Sequence, residues 1–494
     1  MKKAIVIGAG FAGISVASYL SKGGWDVTVL EQHNIAGGRA RKFSAEGFMF
    51  DMGPSWYWMP DVFERYFRNF GFDVKDHYEL HRLDPSYRIY RKDGIMNIPA
   101  NFGDLKKLFE EWEPGSGERL EAFLEEGKYK YEVGMHKLVY KPGVSISEFV
   151  DSDILRGIFK LDVFTSMRKH VRKYFKHPAL RQLMEFPVLF LGALPENIPA
   201  LYSLMNYADI KLGTWYPTGG MHKIVEAMEK VAEGAGVKFL YNKKVSGLKT
   251  QGKKITGVLT QNGNSTETHE SDIVVGAADY HFMESLLPVN MRNYDDKYWE
   301  SRTMAPSCLL YYVGLNKKLE GITHHSLFFD VDFEEHGKEI YKNPRWPAEP
   351  LFYVCAPSVS DDTVAPDGME NLFFLIPVAA GLENDTEELR EKYFKMIVSR
   401  YEKHTGQQIT DNIIYKKTYA VQDFVNDYNA FKGNAYGLAN TLMQTAILKP
   451  SLKNKKLDNL YYTGQLTVPG PGVPPSLISG EITAELIMKN VGKI

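Results

Sequence analysis

The first forty residues predict an α/β protein built around a βαβ unit of the Rossmann type. Three observations carry this. An apolar run, Ala4-Ile5-Val6-Ile7, leads directly into Gly8-Ala9-Gly10-Phe11-Ala12-Gly13. Residues 14–20 then continue with helical apolar periodicity. A second apolar run, Val27-Thr28-Val29-Leu30, ends on Glu31. Strand, glycine turn, helix, strand and terminal acid form the fingerprint of a dinucleotide site, in order and spacing.

Each position has a physical reason. Gly8 permits the tight turn, Gly10 lets the backbone approach a pyrophosphate, and Gly13 lets the helix pack close to the strand. The helix N-terminus offers unpaired N–H groups and its positive dipole end to the phosphates. Glu31 is placed to accept hydrogen bonds from a ribose diol, and its charge disfavours a 2′-phosphorylated cofactor.

At 494 residues the chain is long enough for two or three domains. Lys and Arg number 59 against 61 Asp and Glu, so no global field favours nucleic acid as a partner. Two distant cysteines, Cys308 and Cys355, fit reduced structural thiols better than a disulfide framework. The N-terminus enters the first strand at once, so no signal peptide is expected. No uninterrupted apolar stretch reaches the length of a membrane span; the richest, 186–207, is broken by Pro195 and Pro199. The many aromatics suit a large apolar ligand or simply a large core.

Further along, Gly37-Gly38-Arg39-Ala40-Arg41 offers a tight backbone path and a forked donor for phosphate. Phe48-Met49-Phe50-Asp51-Met52-Gly53-Pro54-Ser55 reads as a strand ending in a Gly-Pro turn. Taken with the opening fingerprint, these segments resemble the flavin-binding amine oxidase-like superfamily, and within it the bacterial-type phytoene desaturases. The resemblance implies FAD as cofactor. It implies a discontinuous Rossmann-like FAD-binding domain (residues 1–75, 215–290 and 455–494), a helical, membrane-contacting region (76–214) and a mixed-sheet substrate domain (291–454).

Within that frame, residues 62–70, 105–112 and 120–138 have helical periodicity. Tyr87–Tyr90 and Ile95–Ile98 flank a Lys92-Asp93-Gly94 hairpin turn. The basic stretch 168–177 beside apolar 186–194 reads either as a lipid-facing surface or as a solvated helix next to a buried one. A Pro217-Thr218-Gly219-Gly220 turn precedes a helix over 222–233, with strands at 237–241, 245–248 and 272–279. Residues 307–315, 351–355 and 372–378 read as strands of a mixed sheet that floors an apolar tunnel. The segments 361–368 and 423–437 add to the resemblance. The C-terminal strand 459–463 runs into Gly464, and Thr467–Ser476 leads into a helix. Pro475 stands where many relatives have glycine, which puts pocket shape beside the flavin in doubt.

The residues implied to hold FAD are Gly8, Gly10, Ala12, Gly13, Glu31, Gln32, Gly38, Arg39, Pro54, Ser55, Trp56, Val245, Gly464, Gln465, Gly472 and Val473. Glu148 occupies the place of a suggested acid–base residue, although Ser145 and Glu148 also have the spacing of a capping box. No metal site is expected: His324 and His325 are adjacent, and neighbours on a strand point to opposite faces. The implied activity is removal of two hydrogens from a linear C40 carotene, with hydride leaving to flavin. Phytoene going to lycopene-type products is the expected substrate, with quinone or oxygen as electron acceptor. The alternatives are a desaturase of a later carotenoid or a non-catalytic prenyl-binding relative. The expected location is cytoplasmic, peripheral at the inner face of the cell membrane.

Overall fold

The computed structural model describes residues 1–149, 161–263 and 265–492. A five-stranded parallel sheet runs in the order Leu460–Tyr462, Ile273–Gly276, Lys3–Ile7, Asp26–Leu30, Lys238–Leu240. Its central strands are buried on both faces, which explains why Ala4 to Ile7 is an unbroken apolar run rather than an alternating one. Helix Phe11–Lys22 is likewise buried from Phe11 to Leu20 because it packs on the sheet and on helices Val473–Val491 and His222–Gly234. One sheet therefore gathers both chain ends and residues 238–276, the three pieces assigned to the first domain from sequence.

The second sheet has seven strands, ordered Ile413–Tyr419, Ser307–Leu315, Glu370–Val378, Phe352–Cys355, His325–Phe329, Tyr87–Arg91, Gly94–Ile98. It is mixed: Tyr87–Arg91 runs parallel to His325–Phe329 and the other pairs are antiparallel. This corrects the expected boundary of the helical region. The hairpin of residues 87–98 extends the substrate sheet instead. The cause is an aromatic ladder across three strands, with Tyr90 stacked on Phe328 at 4.7 Å and Phe328 on Phe352 at 4.2 Å. Helix Glu387–Thr405 covers one face through Tyr393, Phe394, Ile397, Val398 and Tyr401. The opposite face, carrying Leu310, Leu327 and Tyr353, packs in one apolar cluster with the helical region, including Leu180, Leu183, Phe186 and Val188.

Helices Phe102–Trp112, Ser116–Val133, Met167–Tyr174 and Pro178–Glu185 form the helical region; residues 150–160 within it lie outside the described residues. The basic helix is shorter than the 168–177 stretch, because Phe175 turns extended ahead of Pro178. Its Arg168 pairs with Glu196 at 2.9 Å and with Glu334 at 3.3 Å. The apolar partner segment is interior: Phe186, Val188, Leu191 and Leu194 are buried. Those two segments therefore do not form the exposed basic–apolar surface considered from sequence. Among the described residues, no helix is long and apolar enough to cross a membrane.

Candidate active site

Gly8 at the end of the first strand donates its N–H to Leu30 O, and Gly37 donates to Ala9 O, folding the Gly37–Arg39 turn against the first glycine turn. Glu31 is buried beside them. Its carboxylate accepts from the Ala9 N–H at 2.8 Å and the His33 N–H at 2.9 Å. Arg39 reaches Asn434 O at 3.1 Å, while its buried Nε has no partner. It faces Asp279, whose carboxyl is pushed up by burial and held against that rise by the guanidinium.

The Gly-Pro turn is anchored from below. Asp51 accepts from the Met221 N–H at 2.7 Å and the His222 N–H at 3.0 Å, so it caps the helix that begins at His222. Burial pushes its carboxyl up to about 7. Asp361 is buried and accepts from the Gly219 N–H at 2.6 Å and the Tyr216 O–H at 3.1 Å. Beyond the turn, Trp56 stacks on His325 at 4.2 Å with the planes 8° apart. Tyr353 Oη is hydrogen-bonded to Ser55 Oγ at 2.9 Å and to His325 Nδ1 at 2.7 Å.

At the C-terminal turn, Gly464 donates its N–H to Ser479 Oγ at 2.9 Å. Gly472, at φ 115°, then opens helix Val473–Val491. Of the first three helical residues, only Val473 keeps an N–H, since Pro474 and Pro475 have none.

These segments wall one continuous cavity of about 450 Å³. Of the residues assigned to the cofactor from sequence, all but Gly13 line it, and Gly13 instead packs against Gly8 O. From Gly10 and Glu31 the cavity passes Pro54–Trp56 and reaches an apolar chamber walled by Phe186, Leu189, Leu327, Phe329, Phe333 and Leu375. Asp279 and Tyr353 also line it and were missed as site residues, and Pro475, noticed from sequence as a departure beside the flavin, lines it too. Asp279 had a signal in sequence: an acid closing the buried strand and capping the next helix, where it accepts from the His281 and Phe282 N–H groups.

The chain matches the flavin containing amine oxidoreductase family over residues 11–488. It is 42% identical over 488 residues to the carotenoid 3,4-desaturase of Haloarcula japonica, covering 98% of both chains. It is 30% identical to the zeta-carotene-forming phytoene desaturase of Myxococcus xanthus, over 99% of this chain and 94% of that one. The chain belongs to the flavin containing amine oxidoreductase family. Solved structures agree on the fold: an oxidoreductase from Methanosarcina mazei (17% identical, TM-score 0.61) and a putrescine oxidase triple mutant (12%, TM-score 0.62) each cover 99% of this chain. They cover 100% and 99% of their own lengths, respectively.

As a member of this family the chain is an FAD-dependent oxidoreductase, and its residues fit the cofactor. The unpartnered Arg39 Nε and the bare backbone between Gly10 and Gly38 suit a pyrophosphate. The Glu31 carboxylate suits a ribose diol. Glu148 is placed differently from an acid–base group in this cavity. Its carboxylate accepts from the Gly143 N–H at 2.9 Å and the Val144 N–H at 3.2 Å, and it is not among the lining residues described. The capping box differs too, since the amides it holds precede Ser145. His324 and His325 do not point to opposite faces, because His324 precedes the strand and their rings lie 4.5 Å apart. Cys308 and Cys355 are both free and buried.

Proposed function

We propose that the chain is an FAD-dependent carotenoid desaturase acting on a long, linear polyene. One observation carries the reading: a single cavity joins a dinucleotide cradle to an apolar chamber, in a chain 42% identical end to end to a carotenoid 3,4-desaturase. Bound FAD supplies the hydride acceptor. The protein's part is to hold an unactivated C–H bond in the chamber and keep water out. The apolar wall suits both tasks and offers a polyene no polar anchor.

The 42% identity to a 3,4-desaturase, against 30 and 31% to the phytoene desaturases of Myxococcus xanthus and Neurospora crassa, favours a later carotenoid over phytoene. Expression in two hosts, one accumulating phytoene and one accumulating lycopene-type carotenoids, tests it. New, red-shifted product is expected only in the second. Product in the first host alone would reverse the assignment, and colourless protein unable to take up FAD would sink the enzyme reading.

A substrate insoluble in water calls for a membrane contact, and quinone or oxygen for the electrons. The surface that best suits a lipid is the loop of residues 442–448 together with Val144. Met443 is 70% and Val144 67% exposed, Leu442, Ile447 and Leu448 are also exposed, and Gly143 packs on Ala446. This loop lies a short segment, Gly437–Thr441, beyond the cavity-lining Ala435 and Tyr436. Co-sedimentation with vesicles should fall for M443E and L448E; unchanged binding would place the contact elsewhere.

A further inference from the structure

A desaturation releases a proton as well as a hydride, and an apolar chamber has few places to put it. The polar groups on the cavity wall are its candidate acceptors. His336 lines it, but both ring nitrogens are engaged, Nε2 with Pro377 O at 2.9 Å and Nδ1 with the Leu351 N–H at 3.0 Å. Glu148 is occupied by its own loop. Tyr353 is different. Its hydroxyl lies beside Ser55, one of the residues implied to hold FAD, and it is the first member of a buried series that leads outward. Tyr353 Oη lies 2.7 Å from His325 Nδ1, the His325 and His324 rings are 4.5 Å apart, and His324 Nδ1 lies 3.1 Å from Ser360 Oγ. Ser360 is exposed, whereas Tyr353, His324 and His325 are buried. The Nε2 atoms of both histidines are buried and have no partner.

We propose that Tyr353 takes the proton released from substrate and that His325 and His324 pass it to solvent at Ser360. The proposal rests on the desaturase reading. One C–H bond breaks heterolytically and its electron pair becomes the new π bond. The neighbouring carbon gives its hydride, with both electrons, to oxidised flavin. At rest the Tyr353 O–H donates to Ser55 Oγ; the released proton goes to Tyr353 Oη as the tyrosine's own proton turns from Ser55 to His325 Nδ1, so the phenol ends neutral. Neither Nε2 is hydrogen-bonded at rest, so transfer of the His325 Nε2 proton to His324 requires the two rings, 4.5 Å apart, to turn toward each other; His324 then passes a proton from Nδ1 through Ser360 to water.

The groups facing the histidines suit a conduit that does not retain charge. Tyr353 and Cys355 face them from the neighbouring strand, Trp56 covers His325, and Tyr216 lies 4.5 Å from His324. Asp361 is the acid that acts on His324. Burial holds His325 well below its usual value, with His324 adding to that, and holds His324 down to about 3. Both are neutral between passages, and a proton that reaches them is driven on.

Tyr353→Phe removes only the hydroxyl. In the holoenzyme it should keep FAD content and the flavin absorption spectrum. Anaerobic flavin bleaching by a carotenoid that the parent desaturates should slow by about 100-fold, the usual contribution of a general base. The parent's solvent deuterium isotope effect on bleaching should vanish in Y353F, and H325Q should slow bleaching comparably. In ¹⁵N-histidine spectra of the resting holoenzyme, Y353F should shift one Nδ1 resonance, and both histidines should stay neutral from pH 6 to 9. Bleaching within twofold of the parent would overturn the relay, as would loss of FAD together with rate. Stoichiometric zinc or copper in the purified holoenzyme would make His324, His325 and Cys355, whose candidate ligand atoms lie within 4.8 Å of one another, a metal centre instead and would also overturn it. A parent that desaturates no carotenoid would fail the functional reading, a result separable from these.

Discussion

Two glycines of the opening fingerprint should fail for opposite reasons. At Gly13 an added Cβ would fall 2.0 Å from Gly8 O and 3.2 Å from Ala277 Cβ. Helix Phe11–Lys22 would have to retreat by about 1 Å, but it is wedged between the parallel sheet and helices Val473–Val491 and His222–Gly234. At Gly10 the added Cβ would meet only Gly38 Cα, at 4.0 Å, with φ at an ordinary −78°. The protein itself has room there, and the methyl would enter the cavity where the phosphates belong. Gly13→Ala should therefore cost about 3 kcal/mol of apoprotein stability, the upper end for forced overpacking. Gly10→Ala should leave apoprotein stability within about 1 kcal/mol, because alanine also narrows the unfolded ensemble. Its FAD affinity should fall about 10- to 100-fold, the equivalent of 1–3 kcal/mol of steric conflict. Thermal melts of the apoproteins and FAD titration by fluorescence quenching read the two quantities separately. Parent-like FAD affinity in G10A would refute the placement of the pyrophosphate, and a parent-like melt in G13A would refute the packing argument.

Glu31→Ala should weaken FAD binding by about 10-fold or more and also lower apoprotein stability by about 2 kcal/mol, since it leaves the Ala9 and His33 N–H groups without their acceptor; titration and melts check both. Glu148→Gln should keep anaerobic flavin bleaching within about twofold while making the 143–149 loop more sensitive to protease, because the carboxylate serves the Gly143 and Val144 amides; a 100-fold slower rate with FAD retained would restore it as an acid–base group. Asp51, pushed up to about 7 by burial, favours the fold in its neutral form. Its contribution is complete below about pH 4 and is lost as pH rises through 7, a decline of up to about 4 kcal/mol. Unfolding curves from pH 5 to 8 should show that slope in the parent and a flatter one in Asp51→Asn.

What could be read from the sequence follows how local each interaction is. The βαβ unit and the strand Ser307–Leu315 were legible because apolar runs and glycine turns act within a few residues. The hairpin of residues 87–98 was also legible as a hairpin, but its sheet was not: Tyr90 meets Phe328 across more than two hundred residues of chain. The same holds in the site. Asp51 was noticed as part of a motif, yet its acceptor role depends on a helix start some 170 residues on. The histidine pair was misjudged by a local rule. Alternation of faces applies within a strand, and His324 stands one residue before His325–Phe329 begins. Extended backbone would have separated the rings; the bend there brings them together, under Trp56 on one side and beside Tyr216 on the other. Three distant segments are needed to bury those imidazoles. Burial favours their neutral form, which suits the proposed passage of a proton away from Tyr353 without storing its charge. The part of the site that binds cofactor is thus written in short motifs, whereas the part proposed for proton transfer exists only once Trp56, Tyr216 and the strand Phe352–Cys355 are brought around the two histidines.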